Sequence, residues 1–139
     1  MKRNEAGQSL IEAIFLSLLL FVPLLWALGV LADLHRSALA TTAAVREAGF
    51  EAARSTSEDE AEVAASSAIE QALLNHGLDP DDADVQLSLG GLRRGGSVEV
   101  KVVYPVTVLQ APLLGRVAGP SILVDAAHTA IVDPYRSRQ

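Results

Sequence analysis

The stretch GQSLIE at residues 7–12, running without a break into AIFLSLLLFVPLLWALGVLA at residues 13–32, decides how this chain is read. Within 13–32 only Ser17, Pro23 and Gly29 fall outside the apolar set, and no residue is charged. A helix rises about 1.5 Å per residue, so this segment covers roughly 30 Å, the thickness of a bilayer's hydrocarbon core. One membrane span is expected, and only one. Lys2 and Arg3 precede it and Asp33 is the first charge beyond it. The positive-inside bias then places the short N-terminus in the cytoplasm and the remaining domain outside. The chain of 139 residues is 50% apolar, but residues 33–139 hold 48 apolar residues of 107. That is near the ordinary soluble fraction of about 45–50%. The chain is thus a membrane-length segment joined to a small soluble domain. With no cysteine, disulfide scaffolds, thiol catalysis and cysteine-based metal sites are excluded. The formal charge of −6 argues against a broad electrostatic grip on nucleic acid, which needs many Lys and Arg on phosphates. A local basic patch is the most that charge leaves open.

A secretory signal peptide also opens with a basic residue and an apolar run. The run here exceeds the usual 7–15 residues of such a core, and Glu12 stands at its start. A small-x-small site at Ala27-Leu28-Gly29 lies inside the run rather than after it. A retained span is the better reading. An ionised carboxylate at the margin of hydrocarbon costs several kcal/mol unless it is paired. Glu12 therefore either stays solvated at headgroup level, where negative charge suits the first turn of a helix, or serves a cation brought to it. Pro23 removes one backbone hydrogen bond in mid-span, so a kink or local melting near Leu19 to Pro23 is expected, although Pro is also tolerated in membrane helices. Trp26 suits either an interfacial anchor or packing.

Gly7 to Glu12, after the basic residues and before the apolar run, resembles the processing site of type IV prepilins. In that family a short basic leader ends in Gly, a membrane-embedded prepilin peptidase cuts after it, and a Glu lies five residues beyond the cut. The resemblance implies Gly7 as the last leader residue, Gln8 as the new N-terminus and Glu12 as the fifth mature residue. Gln8 departs from the aromatic residue that most major pilins place first, which speaks against a major pilin. Cleavage would create an α-amine at Gln8, positive near pH 7, able to pair with Glu12 of a neighbouring subunit when helices stagger in a bundle. Pilins of this class also commonly carry a Pro in the part of the helix where Pro23 stands.

Beyond the span, Leu34, Ala38, Thr42, Val45, Gly49 and Ala52 recur at three- and four-residue spacing, so the membrane helix is expected to continue as an amphipathic, Ala-rich helix to about residue 54. Ser55-Thr56-Ser57 interrupts it, and Ser57-Glu58-Asp59-Glu60 fits a capping box that opens a second helix. That helix should run from Glu58 to His76, with Val63, Ile69, Leu73 and Leu74 inward and Gly77 as its C-terminal cap. Leu78 to Asp84 reads as an acidic loop. The period then becomes two: Val85, Leu87 and Leu89 alternate with polar residues, as do Val98, Val100 and Val102. Gly90 to Gly96 between them reads as a hairpin loop. Tyr104-Pro105 suggests a break or an edge, residues 106–109 continue extended, 112–120 form a Gly/Pro loop, and 122–132 supply a last strand before a polar tail. The expected fold is α+β: a long N-terminal helix, a second helix, and a small antiparallel sheet of three or four strands with helix on one face. In domain terms, 1–7 is a leader, 8–54 the N-terminal helix with its span at 13–32, and 55–139 a small extracytoplasmic α+β domain. Phe50, Tyr104 and Tyr135 are the sole aromatics after residue 33, so an Ala/Val/Leu core of roughly 100 residues should be marginal alone and gain from assembly.

The order of these parts is similar to the TadE-like family, pilin-like proteins of tight-adherence (Tad, Flp) pilus systems. The likeness extends over the Ala/Arg-rich helix Thr41 to Arg54, the helix ending at Gly77, the Gly-Gly hairpin with Val98 to Tyr104, and Leu113-Leu114-Gly115 before a terminal β run. It implies a pilin-like fold and a minor pilin or pseudopilin. Its implied partners are a prepilin peptidase, other pilin subunits, and, indirectly, an assembly ATPase and inner-membrane platform. Adhesion or DNA uptake would be downstream roles of the filament.

No enzyme is expected. His35, His76 and His128 lie on three different elements, without ligand spacing. Asp79, Asp81, Asp82 and Asp84 suggest calcium, but the Gly and Glu that a calcium loop needs at its sixth and twelfth positions are Asp84 and Gly90. The Gly90 to Gly96 loop lacks the Lys-Ser/Thr ending of a phosphate-binding loop. Arg93 and Arg94 at its tip suit contact with DNA or another subunit, or solubility alone. No cofactor or metal is expected. The alternative from another class is a single-pass, membrane-anchored binding or sensor protein that never enters a filament.

Overall fold

A computed structural model describes residues 3–90, 92, 95–108 and 119–133, with side chains from Gly7 onward. The basic side chains of Lys2, Arg3, Arg93 and Arg94, Leu113-Leu114-Gly115 and Tyr135 lie outside the described residues, as does most of the polar tail. The chain forms α1 (Arg3–Arg54), α2 (Glu58–Asn75), a single 3-10 turn (Pro80–Asp82), β1 (Asp84–Leu89), β2 (Ser97–Thr107) and β3 (Ser121–Ile131). The strands make one antiparallel sheet in the order β1-β2-β3. The class is α+β, in the expected element order. Two compact units divide the chain, Met1–Asp33 and Leu34–Gln139, and the division falls inside α1.

The first unit is helix alone. Every residue from Gly7 to Gly29 is exposed, including Phe15, Phe21 and Trp26. It belongs to the one helix among the described residues that is long and apolar enough to cross a membrane. The Ser17 hydroxyl donates to the Ala13 carbonyl at 2.8 Å, so the sole hydroxyl between residues 13 and 32 is satisfied within its own helix. Helical backbone continues unbroken through Pro23, so the local melting expected there does not occur.

The second unit gathers its core on one face of the sheet. Val98, Val100 and Val102 of β2 are fully buried, and Tyr104 and Val106 continue the row. Register places Leu87 and Leu89 of β1 and Val124, Ala126 and Ala130 of β3 beside them. Against this row packs an Ala-rich layer: Ala40, Ala44, Val45, Ala48 and Ala52 from α1, and Ala61, Ala65, Ile69, Ala72 and Leu73 from α2. Small side chains let the helices come close, while valine on the sheet supplies most of the branched bulk.

Two expectations are corrected here. On α1, Ala38 and Thr42 are exposed and Ser37 and Thr41 are buried, a phase shift of one residue between Leu34 and Val45. Both series satisfy helical spacing, and the buried Thr41 hydroxyl is tolerated because it donates to the Ser37 carbonyl at 2.9 Å. On α2, Val63 and Leu74 point to solvent, at 71% and 53% exposed, and alanines take the inward positions instead. Residue size alone therefore did not decide the face. At Pro105, where the sequence leaves a break or an edge open, the structure has the edge and no break. β1 reaches only as far as the Asp84 to Val103 pair, so beyond Val103 one side of β2 is locally an edge, where a missing N–H costs no ladder bond.

The caps follow the sequence closely. Ser57 is the N-cap of α2, its side chain accepting from the Glu60 N–H at 3.2 Å. Glu60 returns to the Thr56 N–H at 2.7 Å, one residue before the usual partner of a capping box. At the other end, Gly77 takes φ +70°, its N–H donates to the Leu74 carbonyl, and the Leu78 N–H donates to the Leu73 carbonyl. These are the two bonds of a Schellman motif, with His76 as C-cap and Gly77 the residue after it.

Candidate functional site

Gly7, Gln8 and Glu12 lie in the first turns of α1, and all three are exposed. A Cβ built on Gly7 meets no atom within 4 Å, so neither packing nor backbone angle asks for glycine there. In a helix interior glycine is less stable than alanine by about 1 kcal/mol. Gln8 and Glu12 are four residues apart and share one helix face. Among the described residues, no cation lies within bridging distance of the Glu12 carboxylate. Gly7, Gln8 and Glu12 come together as the sequence places them, and Pro23 lies three turns further along the same helix.

The rest of the molecule presents little chemistry. Among the described residues no three His, Asp or Glu side chains converge. Asp79 accepts from the Asp81 N–H at 3.2 Å and caps the 3-10 turn, which gives the acidic run a local backbone role. The Asp79 N–H donates to the Tyr104 hydroxyl at 3.3 Å and ties this turn to β2. His35 is exposed, and His76 closes α2. An open groove lined by Glu47, Phe50, Glu51, Arg54 and Ala68 carries an exposed Arg54–Glu51 pair at 3.6 Å, with neither nucleophile nor metal ligand set.

His128 is the residue whose position the sequence did not reveal. It faces inward on β3 opposite Val100, with its ring 5.6 Å from that of Phe50, and its Nε2 is buried without a hydrogen-bond partner among the described residues. A Cβ on Gly49 would stand 2.9 Å from His128 Cδ2. Gly49 is therefore the place where α1 comes down onto β3. A glycine in a run of alanines was the available signal, but its partner 79 residues away was not legible.

No family model, no curated protein and no solved structure matches this chain.

Proposed function

We propose that this protein is a minor pilin or pseudopilin of a TadE-like kind. It is cut after Gly7 by a prepilin peptidase and assembles through its hydrophobic N-terminal helix into a Tad or type IV-like pilus. The observation that carries this reading is the boundary at residues 7–12. A glycine without structural use and a carboxylate without a described counterion stand in fixed order before a fully exposed apolar helix. Cleavage would supply a cation close to that carboxylate. A new α-amine at Gln8 is a cation about one helical turn before Glu12, and a neighbouring subunit's helix, staggered by that turn, can bring the two together. The apolar helix first holds the subunit in the inner membrane, N-terminus in the cytoplasm and domain outside. It then packs against other pilin subunits, with the assembly ATPase and platform acting indirectly. A bend at Pro23, where the Leu19 carbonyl loses its usual donor, would help the helix fit such a bundle.

Intact-mass analysis of the membrane-extracted protein tests the proposal. The expected species begins at Gln8, and replacing Gly7 by a bulky residue should abolish it. A chain still beginning at Met1 or Lys2 in cells with active prepilin peptidase would leave the alternative, a single-pass binding or sensor protein that stays in the bilayer.

A further inference from the structure

We infer that Gln8, once cleavage after Gly7 makes it the first residue, is a self-modification site: its α-amine attacks its own side-chain amide, ammonia leaves, and the chain then begins with an uncharged pyroglutamyl ring. This rests on the cleavage proposed above and goes beyond it, because assembly then competes with loss of the cation that Glu12 is proposed to meet.

The cut supplies the reactants. In the intact chain the Gln8 nitrogen belongs to a peptide bond and is no nucleophile. Cutting the Gly7–Gln8 bond turns it into an amine four bonds from the side-chain amide carbon, the spacing that closes a low-strain five-membered lactam. An α-amine titrates at about 7.7–8.0, so near pH 7 roughly 10–15% of it is unprotonated, the form that attacks. The step balances without a further reagent. The bond from the α-nitrogen to Cδ forms, the bond from Cδ to Nε2 breaks, and the proton given up by the amine leaves with the amide nitrogen as ammonia.

Nothing described in the structure holds Gln8 back. Its side chain is exposed, and among the described residues its amide has no hydrogen-bond partner. A Cβ built on the neighbouring Gly7 meets no atom within 4 Å, so the backbone on that side is open as well. α1 is already helical at Arg3, ahead of the cut, so the new amine stands at the amino end of a helix. Aligned peptide dipoles disfavour a positive charge there. The uncharged, attacking amine is favoured accordingly, and ring closure removes the terminal charge as acetylation of an amine does.

Glu12 acts in the opposite direction. A carboxylate beside the amine keeps the proton on it, and a protonated amine has no lone pair with which to attack. A subunit packed against its neighbour therefore retains its α-amine, whereas a subunit left alone in the bilayer loses it with time. After ring closure that subunit offers no α-amine to a neighbour's Glu12, which withdraws it from assembly.

The test uses full-length protein processed in cells with active prepilin peptidase, extracted into micelles, held at mildly alkaline pH and followed by intact mass. The species that begins at Gln8 should become lighter by one ammonia. Cleavage removes Lys2 and leaves Lys101 as the sole lysine, so an amine-reactive label should fall from two sites per chain to one. Chains recovered from sheared filaments should keep the full mass while the membrane pool of the same cells accumulates the lighter form. A chain that begins at Gln8 and keeps both its mass and its second labelling site overturns the inference and leaves the cleavage standing. A chain still beginning at Met1 or Lys2 overturns both. Loss of ammonia from Gln8→Ala as well would place the reaction at another amide, and equal fractions of the lighter form in filament and membrane would remove the competition with assembly; either result also overturns the inference.

Discussion

Replacing Gly49 by alanine should weaken the domain, although alanine is the better helix former. In a helix interior the exchange gains about 1 kcal/mol of propensity. Against that, the new methyl would stand 2.9 Å from His128 Cδ2 and 3.4 Å from the Ala130 Cβ. The His128 ring has Phe50 beside it at 5.6 Å and Val100 of β2 as its strand partner, so moving aside would give up that ring contact. Forcing a methyl into a packed interface costs about 1–3 kcal/mol. The overlap wins, for a net loss of up to about 2 kcal/mol. In a domain of this size each kcal/mol moves the melting temperature by roughly 4–8 °C. The assay is a far-UV circular dichroism melt of the full chain in detergent micelles, run as a double-mutant cycle with His128→Ala. Removing the ring removes the clash, so Gly49→Ala should lower Tm in the native background and raise it in the His128→Ala background. A Tm for Gly49→Ala at or above that of the native chain would refute the close contact between α1 and β3.

Glu12→Ala should leave cleavage and membrane insertion intact while lowering recovery of the protein in sheared filaments; normal incorporation would remove the pairing argument. Ser57→Ala removes the side-chain acceptor of the Glu60 N–H and should cost about 1 kcal/mol, read as a lower urea midpoint at unchanged slope. On α2, Leu73→Ala should cost about 2–5 kcal/mol, whereas Val63→Ala should stay within about 0.5 kcal/mol, because one side chain is fully buried and the other faces solvent. Equal effects of the two would mean that the inward face of α2 has been assigned wrongly.

The elements were legible wherever a local rule with one solution applied. Ser57, Glu60 and Gly77 marked the ends of α2 because orphaned N–H and C=O groups at helix termini accept few substitutes. The period-two runs marked β1 and β2 because one face of each had to be apolar. Helix faces were less legible. Alanine carries little hydrophobic contrast, so a stripe through Ala38 and Thr42 and one through Ser37 and Thr41 look equally good until a partner helix and a sheet choose between them. At Pro105 the sequence leaves a break or an edge open, because its strand neighbours are not local; the length of β1 decides whether that position needs an N–H. At the candidate site the situation reverses. Gly7, Gln8, Glu12 and Pro23 are spaced along a single helix, so sequence order already is their geometry, and folding adds mainly the observation that nothing among the described residues packs against them.

The sequence by itself determined the presence of a span-length apolar helix, the capped second helix and the α+β order, because length, charge placement and caps are properties of neighbours along the chain. Tertiary structure alone decided that Val63 and Leu74 face out, and that His128 meets Gly49 and Phe50. Each of these depends on residues far apart in sequence competing for the same small volume, and no local pattern records which of them will occupy it.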